Sequence, residues 1–306
     1  MDTSPPPSIV RADGLRKVFR DFWGRLKVQA LCDVSFEVQQ GQIFGLLGPN
    51  GSGKSTTIKI LLGLLRPTAG HLEVLGQPPS DVRVKARIGY MPEESYIYRY
   101  LTPVETLDFY GRLFNLDAAR RRQRIDQLLE MVGLQDARRR IVGEFSKGMA
   151  RRVALAQALI NDPDLILLDE PTSGLDPIGC HQIKDLILTL ARRGKTIVLS
   201  SHLLADVEDV CDRIAILFGG RIRAAGRVSD LLSEQRVVRL SVPSPSPAAL
   251  ERLVGLVRQE TGTAPQVDHP AKSLEQYFVE VIGQARQSEA GTSGPGGADV
   301  AEYLRK

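Results

Sequence analysis

The sequence is short of several things, and each shortage closes off a class of function. No apolar run approaches the ~18–20 residues needed to cross a bilayer as a helix, so no spanning segment is expected. Met1 to Arg11 carry Asp2 and Pro5-Pro6-Pro7 but no apolar core, so no secretory leader is expected. Cysteine occurs only at Cys32, Cys180 and Cys211. That odd, scattered set fits a reducing compartment and has no metal-ligand spacing. Charge of one sign is scarce too. With 40 Lys+Arg against 36 Asp+Glu the net charge is +4, weak grounds for nucleic acid or a membrane surface as partner. Of the few histidines, His71, His181 and His269 lie in no informative context. What remains, 306 residues at 42% hydrophobic and 25% charged, suits a cytoplasmic globular chain with one large domain or a domain plus an appendage.

What is present is organised around Gly48-Pro49-Asn50-Gly51-Ser52-Gly53-Lys54-Ser55-Thr56. This matches G-x-x-x-x-G-K-[ST], the phosphate-binding P-loop. Ile43 to Leu47 ahead of it reads as a buried strand, and Thr57 to Leu65 behind it as a helix closed by Pro67, which is the context the motif needs. Glycines let backbone N–H groups turn inward around phosphate without a Cβ clash. The helix that follows points its positive end at the same anion. Lys54 is placed to reach the β- and γ-phosphates, and Ser55 to offer a hydroxyl to Mg²⁺.

Along the chain, residues 1–8 read as disordered and 9–38 as two or more strands, with Arg20 to Arg25 an exposed hairpin loop. Val34 to Val38 alternates with period two and is expected to be half buried. From about residue 94 to 162 the pattern is helical. Thr102-Pro103-Val104-Glu105 has the form of a capping box, and Ile125, Leu128, Leu129 and Val132 share one helix face closed by Gly133. The runs Arg120-Arg121-Arg122 and Arg138-Arg139-Arg140 read as solvated faces, with anionic headgroups or an acidic partner as the sharper alternative. Leu165 to Leu168, Thr196 to Leu199 and Ile214 to Leu217 read as strands, the first two buried on both faces as in a parallel sheet. The main domain is therefore expected over 9–235, a small accessory unit over 236–283, and a disordered tail over 284–306. Within the accessory unit, Val237 to Val242 reads as a strand, and Ala248 to Arg258 and Ser273 to Ile282 as helices.

Leu165 to Glu170 is four apolar residues followed by Asp169 and Glu170. A carboxylate at the C-terminal end of a buried parallel strand sits at the ligand edge of an α/β sheet. Asp169 can hold Mg²⁺, and Glu170 can orient and deprotonate an attacking water. Three further motifs complete an ordered set: Ser146-Lys147-Gly148-Met149, Ser173-Gly174-Leu175-Asp176-Pro177, and Ser200-Ser201-His202. Over roughly residues 9–230 the chain resembles an ATP-binding cassette (ABC) ATPase, most of all the single-cassette subunits of ABC exporters. Ser273-Leu274-Glu275-Gln276-Tyr277-Phe278 resembles the ending of many such subunits, a weaker match.

The resemblance implies an α/β fold: a P-loop NTPase parallel-sheet core with an antiparallel β subdomain and a helical insert, plus a small C-terminal α+β appendage. It implies ATP held by the loop amides, Lys54, Ser55 and Thr56. Mg²⁺ would lie by Ser55, Asp169 and Glu93, with Glu170 the general base and His202 at the γ-phosphate. Ser146 and Gly148 would bind phosphate from a second, head-to-tail copy, with Asp176 on that interface. Phe19 stands about where the family has the aromatic that stacks on adenine, though Phe22 or Trp23 could serve, and any of the three could be a core aromatic. An integral membrane permease subunit is the implied partner, docking about residues 93–114, where Tyr96, Tyr98 and Tyr100 alternate. The chain would then sit peripherally on the inner face of the membrane. A soluble ABC ATPase acting on DNA or ribosomes is the main alternative. The second cassette or long coiled-coil insert of those proteins is absent here, and no nucleic-acid partner is expected. A non-catalytic nucleotide switch is the other, and Glu170 with His202 argues against it.

Two residues depart from the family pattern. The signature, usually Leu-Ser-Gly-Gly-Gln, reads Phe145-Ser146-Lys147-Gly148-Met149, and Glu93 replaces the usual Gln. One reading is that Lys147, reaching across from the second copy, offsets the charge of Glu93. The plainer one is that Glu93 ligates Mg²⁺ while Lys147 points to solvent.

Overall fold

The computed structural model describes residues 7–94, 97–233, 243, 245–268 and 302–304. The chain opens with β1 (Ser8–Arg20) and β2 (Leu26–Gln39), an antiparallel hairpin. Its turn is closed by Asp21, whose carboxylate accepts from the N–H groups of Trp23 (2.9 Å) and Arg25 (2.8 Å). The alternation seen in sequence is real: Val34, Phe36 and Val38 point inward while their neighbours face out. β3 (Ile43–Leu47) leads through the glycine loop into α1 (Lys54–Leu61). The helix was expected from Thr57 to Leu65. It begins three residues earlier, inside the motif, and gives way at Gly63, which adopts φ +66°. A side chain at that position would collide with the Pro79 carbonyl, so only glycine ends the helix there.

β4 (Ala69–Val74) returns to pair with β1, giving a three-stranded antiparallel sheet in the order β2-β1-β4. After α2 (Val82–Lys85), β5 (Ile88–Met91) enters the main sheet. A helical insert follows: α3 (Pro103–Leu113), α4 (Ala118–Met131) and the start of α5 (Lys147–Leu159). The capping box forms as read. Thr102 Oγ1 accepts from Glu105 N at 3.2 Å and Glu105 Oε2 accepts from Thr102 N at 2.8 Å. Ile125, Leu128, Leu129 and Val132 are buried on one stripe of α4.

Then strands and helices alternate: β6 (Leu165–Asp169), α6 (Pro177–Arg192), β7 (Thr196–Ser201), α7 (Leu204–Val210), β8 (Arg213–Phe218), β9 (Arg221–Arg227) and α8 (Val228–Leu232). The six-stranded sheet runs β5-β6-β7-β3-β8-β9, parallel except for β9. Every residue of β3, β6 and β7 is buried, as parallel strands covered on both faces require. Side chains of β3 divide between two cores. Ile43 and Leu47 join the helical side, and Phe44 and Leu46 join the antiparallel sheet, where Phe44 stacks on Phe36 at 5.3 Å. Strand register brings the site together. Leu47 aligns with Ser201 and Asp169 with Ser200, so the residues just past β3, β6 and β7 emerge on one edge of the sheet.

The chain divides into two compact units, 1–231 with 289–306, and 232–288. In the second, α9 (Pro247–Thr261) covers the expected helix at 248–258, capped by Ser246, whose Oγ accepts from Ala249 N at 3.3 Å. The strand expected at 237–242 and the helix at 273–282 lie outside the described residues. The expectation of a disordered tail from 284 needs amending at Glu302–Leu304, which form a turn of 3-10 helix within the first unit. Tyr303 donates its hydroxyl to the Leu159 carbonyl at 3.1 Å and lies 4.3 Å beneath the Arg124 guanidinium, while Leu304 is fully buried in the helical-side core.

Candidate active site

The loop after β3 runs against backbone. At Gly48, φ +154°, a Cβ would strike the Leu217 carbonyl; at Gly53, φ +111°, it would meet the Ala30 carbonyl at 2.8 Å. Only glycine fits either place. Gly53 caps α1 with no side-chain bond, so the first amides of α1 keep their N–H groups for a ligand. Ser52 Oγ is buried with no hydrogen-bond partner. A desolvated, unsatisfied hydroxyl inside a glycine loop is what a bound phosphate oxygen would satisfy.

Lys54 is 6% exposed and its ammonium is shared between the Gly48 carbonyl (2.8 Å) and Glu170 Oε1 (3.2 Å). Asp169, at the end of β6, accepts from Ser55 Oγ at 3.2 Å and from Ser200 Oγ at 2.5 Å. Ser200 thus steers Asp169 toward α1; sequence reading took it only as part of a motif. Glu170 leaves the strand with φ +49°, a left-handed conformation costing a non-glycine residue on the order of 1–3 kcal/mol. Its N–H is held by Ser200 Oγ at 3.0 Å. Its other carboxylate oxygen accepts from His202, through Nδ1 at 2.8 Å and the backbone N–H at 3.3 Å. Since a carboxylate only accepts, Nδ1 of His202 is the donor in this contact.

Ser52, Lys54 and Glu170 line a cleft of about 670 Å³ together with the rest of Asn50 to Thr56 and with Phe19, Lys27 and Val28; Asp169, Ser200 and His202 are not among its lining residues and connect to it through their bonds to Ser55 and Glu170. The cleft receives Phe19. Phe22 and Trp23, at 94% and 78% exposure, stand on the hairpin tip and are not among its lining residues. Ser55 and Asp169 are hard oxygen donors, and with Glu93 lining the same cleft they are the residues that would hold a Mg²⁺. A second cleft of about 600 Å³, near Gln39 to Gln42 and Asp212, holds none of the expected site residues.

The other expected residues are elsewhere. Ser146 caps α5, accepting from Met149 N at 3.2 Å, and Asp176 caps α6, accepting from Gly179 N at 2.7 Å. Both are exposed, and neither they nor Gly148 line the cleft. Lys147 lies along Gly174 of its own chain. Arg151, buried on α5, is a cation close enough to Glu93 to feel its charge. Burial holds its pKa below the ordinary guanidinium range, and the carboxylates of Glu93, Asp169 and Glu170 act against that. Tyr90, on β5 beneath the site, is pushed up to about 12 by burial and by Asp169 and Glu93.

A strand, a glycine loop on a helix N-terminus and an Asp-Glu pair on a neighbouring strand define a P-loop nucleoside triphosphatase. Comparison narrows the class. The family described as ABC transporter matches residues 31–173. An uncharacterised ABC transporter ATP-binding protein of Nostoc sp. (strain PCC 7120) is 49% identical over 238 residues, 77% of this chain and 71% of that one. The Nod factor export ATP-binding protein I of Rhizobium johnstonii is 42% identical over 72% of this chain and 71% of its own. Among solved structures, an ATP-binding subunit of an ABC transporter covers 90% of this chain and 99% of its own at TM-score 0.64 and 28% identity. The dimeric cassette MJ0796, bound to ADP and Pi after hydrolysis, covers 72% of this chain and 98% of its own at TM-score 0.66 and 26% identity. The chain belongs to the ATP-binding subunits of ABC transporters.

Proposed function

We propose that this subunit hydrolyses ATP with Mg²⁺ as a head-to-tail pair of identical copies and drives export through a separate integral membrane subunit. The observation that carries the reading is the incompleteness of the site in one chain. Lys54, Ser55 and Glu170 line the cleft, with Asp169 and His202 hydrogen-bonded to Ser55 and Glu170, while Ser146 and Asp176 sit exposed outside it. A two-fold pair brings the signature of each copy to the cleft of the other. The export direction is supported by the relatives named for Nod factor export.

In this reading the triphosphate draws the Lys54 ammonium away from Glu170. The freed carboxylate, still held by His202, takes the proton of the attacking water. Loop amides, Ser52 and Lys54 balance charge on the phosphates, and Phe19 packs on the base. Mg²⁺, held by Ser55 and Asp169 with Glu93 nearby, would supply positive charge to the phosphates. Tyr98, Tyr100, Phe109 and Leu113 are exposed on the helical insert, with Tyr98 edge-on to Phe109 at 6.4 Å. They form the surface offered to the membrane subunit. Among the described residues no helix is long and apolar enough to cross a membrane, so the spanning part is assigned to that partner.

The test is co-purification and crosslinking in native membranes. Crosslinks from residues 98–113 to a polytopic membrane protein are the expected result. Association with ribosomes or DNA instead, or membrane contacts confined to 236–283, would overturn the reading.

A further inference from the structure

Arg151 was legible in sequence only as one more arginine on a helix. In the structure it is 3% exposed, and its guanidinium joins two backbone segments of the site. Nη1 donates to the Pro92 carbonyl at 2.7 Å, and Nη2 donates to the Glu170 carbonyl at 2.6 Å. Charge-assisted bonds of this length, shielded from water, are the stronger kind, and a planar fork fixes two acceptors relative to each other. The two acceptors matter. Pro92 precedes Glu93, which lines the nucleotide cleft, and the same stretch leads into the insert that exposes Tyr98 and Tyr100. Glu170 carries the carboxylate between Lys54 and His202 and is held at an unfavourable φ of +49°. Arg151 itself lies about one turn into α5, the helix that Ser146 caps. One side chain therefore ties together the signature helix, the segment entering the docking surface and the backbone of the reacting carboxylate.

Resting on the ATPase reading above, we propose that Arg151 is a positioning residue for hydrolysis. It holds the Glu170 backbone to the Pro92–Glu93 segment and to the signature helix, so that the general base is aligned only when all three are in place. Glu170 then gains its alignment from the same parts that meet the membrane subunit and the second copy. Arg151 touches neither nucleotide nor water in this scheme, so its loss acts on turnover and spares binding.

The experiment compares the full-length wild type with R151M, R151Q and R151K, measuring kcat and KM for MgATP and the Kd of a fluorescent ATP analogue. Misplacing a general base by a fraction of an ångström to an ångström lowers kcat by roughly 10- to 100-fold. That fall is expected in R151M, with KM and Kd unchanged within about threefold. R151K keeps the charge but not the fork, so it should recover part of the rate, and R151Q less. R151M with kcat within about twofold of wild type would overturn the proposal, as would KM and Kd rising in step with the fall in kcat. Should R151M not fold, R151K and R151Q decide: equal kcat values overturn it. A wild-type chain that binds ATP and never turns it over would instead remove the ATPase reading beneath it.

Discussion

The two halves of the nucleotide site are built in opposite ways. The P-loop half is internal and mutually bonded: Lys54, Asp169, Glu170 and Ser200 are buried, and each holds another in place. The signature half is on display, and the polar groups of Ser146 and Asp176 cap their own helices. One half is set by this chain's own folding. In the paired arrangement proposed above, the other acquires chemistry when a second copy brings a phosphate to it. A change in the first half should therefore act at any protein concentration. In the second half it should mix a small loss of stability with a loss seen only in the pair.

The largest effect should come from Glu170→Gln. Removing a general base lowers turnover by on the order of 10²–10⁴-fold, while ATP binding persists and a nucleotide-bound dimer accumulates on size exclusion. The same change removes the carboxylate that holds Lys54, so the nucleotide-free chain should melt lower and gain more from ATP than wild type does. Lys54→Met should cost about 10²–10³-fold in turnover and, unlike Glu170→Gln, weaken ATP binding by the isolated chain. Ser146→Ala sharpens the comparison. The lost cap should cost ~1 kcal/mol, seen as a fall of a few degrees in Tm. Turnover should fall while the dilute, monomeric chain binds ATP as before. Weakened binding in the monomer would break the division into halves. Smaller still is Phe19→Ala, where losing an aromatic contact worth ~0.5–1.5 kcal/mol should raise KM several-fold, whereas Trp23→Ala should leave KM alone.

The residues proposed for the first half were picked out in sequence by the P-loop pattern and the family resemblance, and they sit in fixed order on a strand, a loop and strand ends. Gly48 to Ser55, Asp169, Glu170 and His202 could be placed before any coordinates, since alternating buried strands leave one edge for them. Pairings across that edge were not legible. That Lys54 would rest on Glu170, that Ser200 would steer Asp169, or that Arg151 would lie close to Glu93 depends on strand register and the pitch of α5, which no local pattern reports. Helix ends were misjudged for a related reason. The run after the motif read as a helix from Thr57 to Leu65 closed by Pro67, but α1 starts at Lys54 inside the motif and ends ahead of Gly63, which packs against the Pro79 backbone.

Tyr303 and Leu304 bear on how the protein is best dissected. Cutting the chain after residue 231 is the obvious way to obtain a bare cassette. Such a cut also strips a phenol and an isobutyl group from the space beside α4 and α5. Losses of that size from a closed core typically cost ~2–5 kcal/mol. A trimmed cassette is thus a damaged reference rather than a minimal one. Its melting temperature should recover when a peptide carrying Glu302-Tyr303-Leu304 is added back, and that recovery would make the last residues a separable plug.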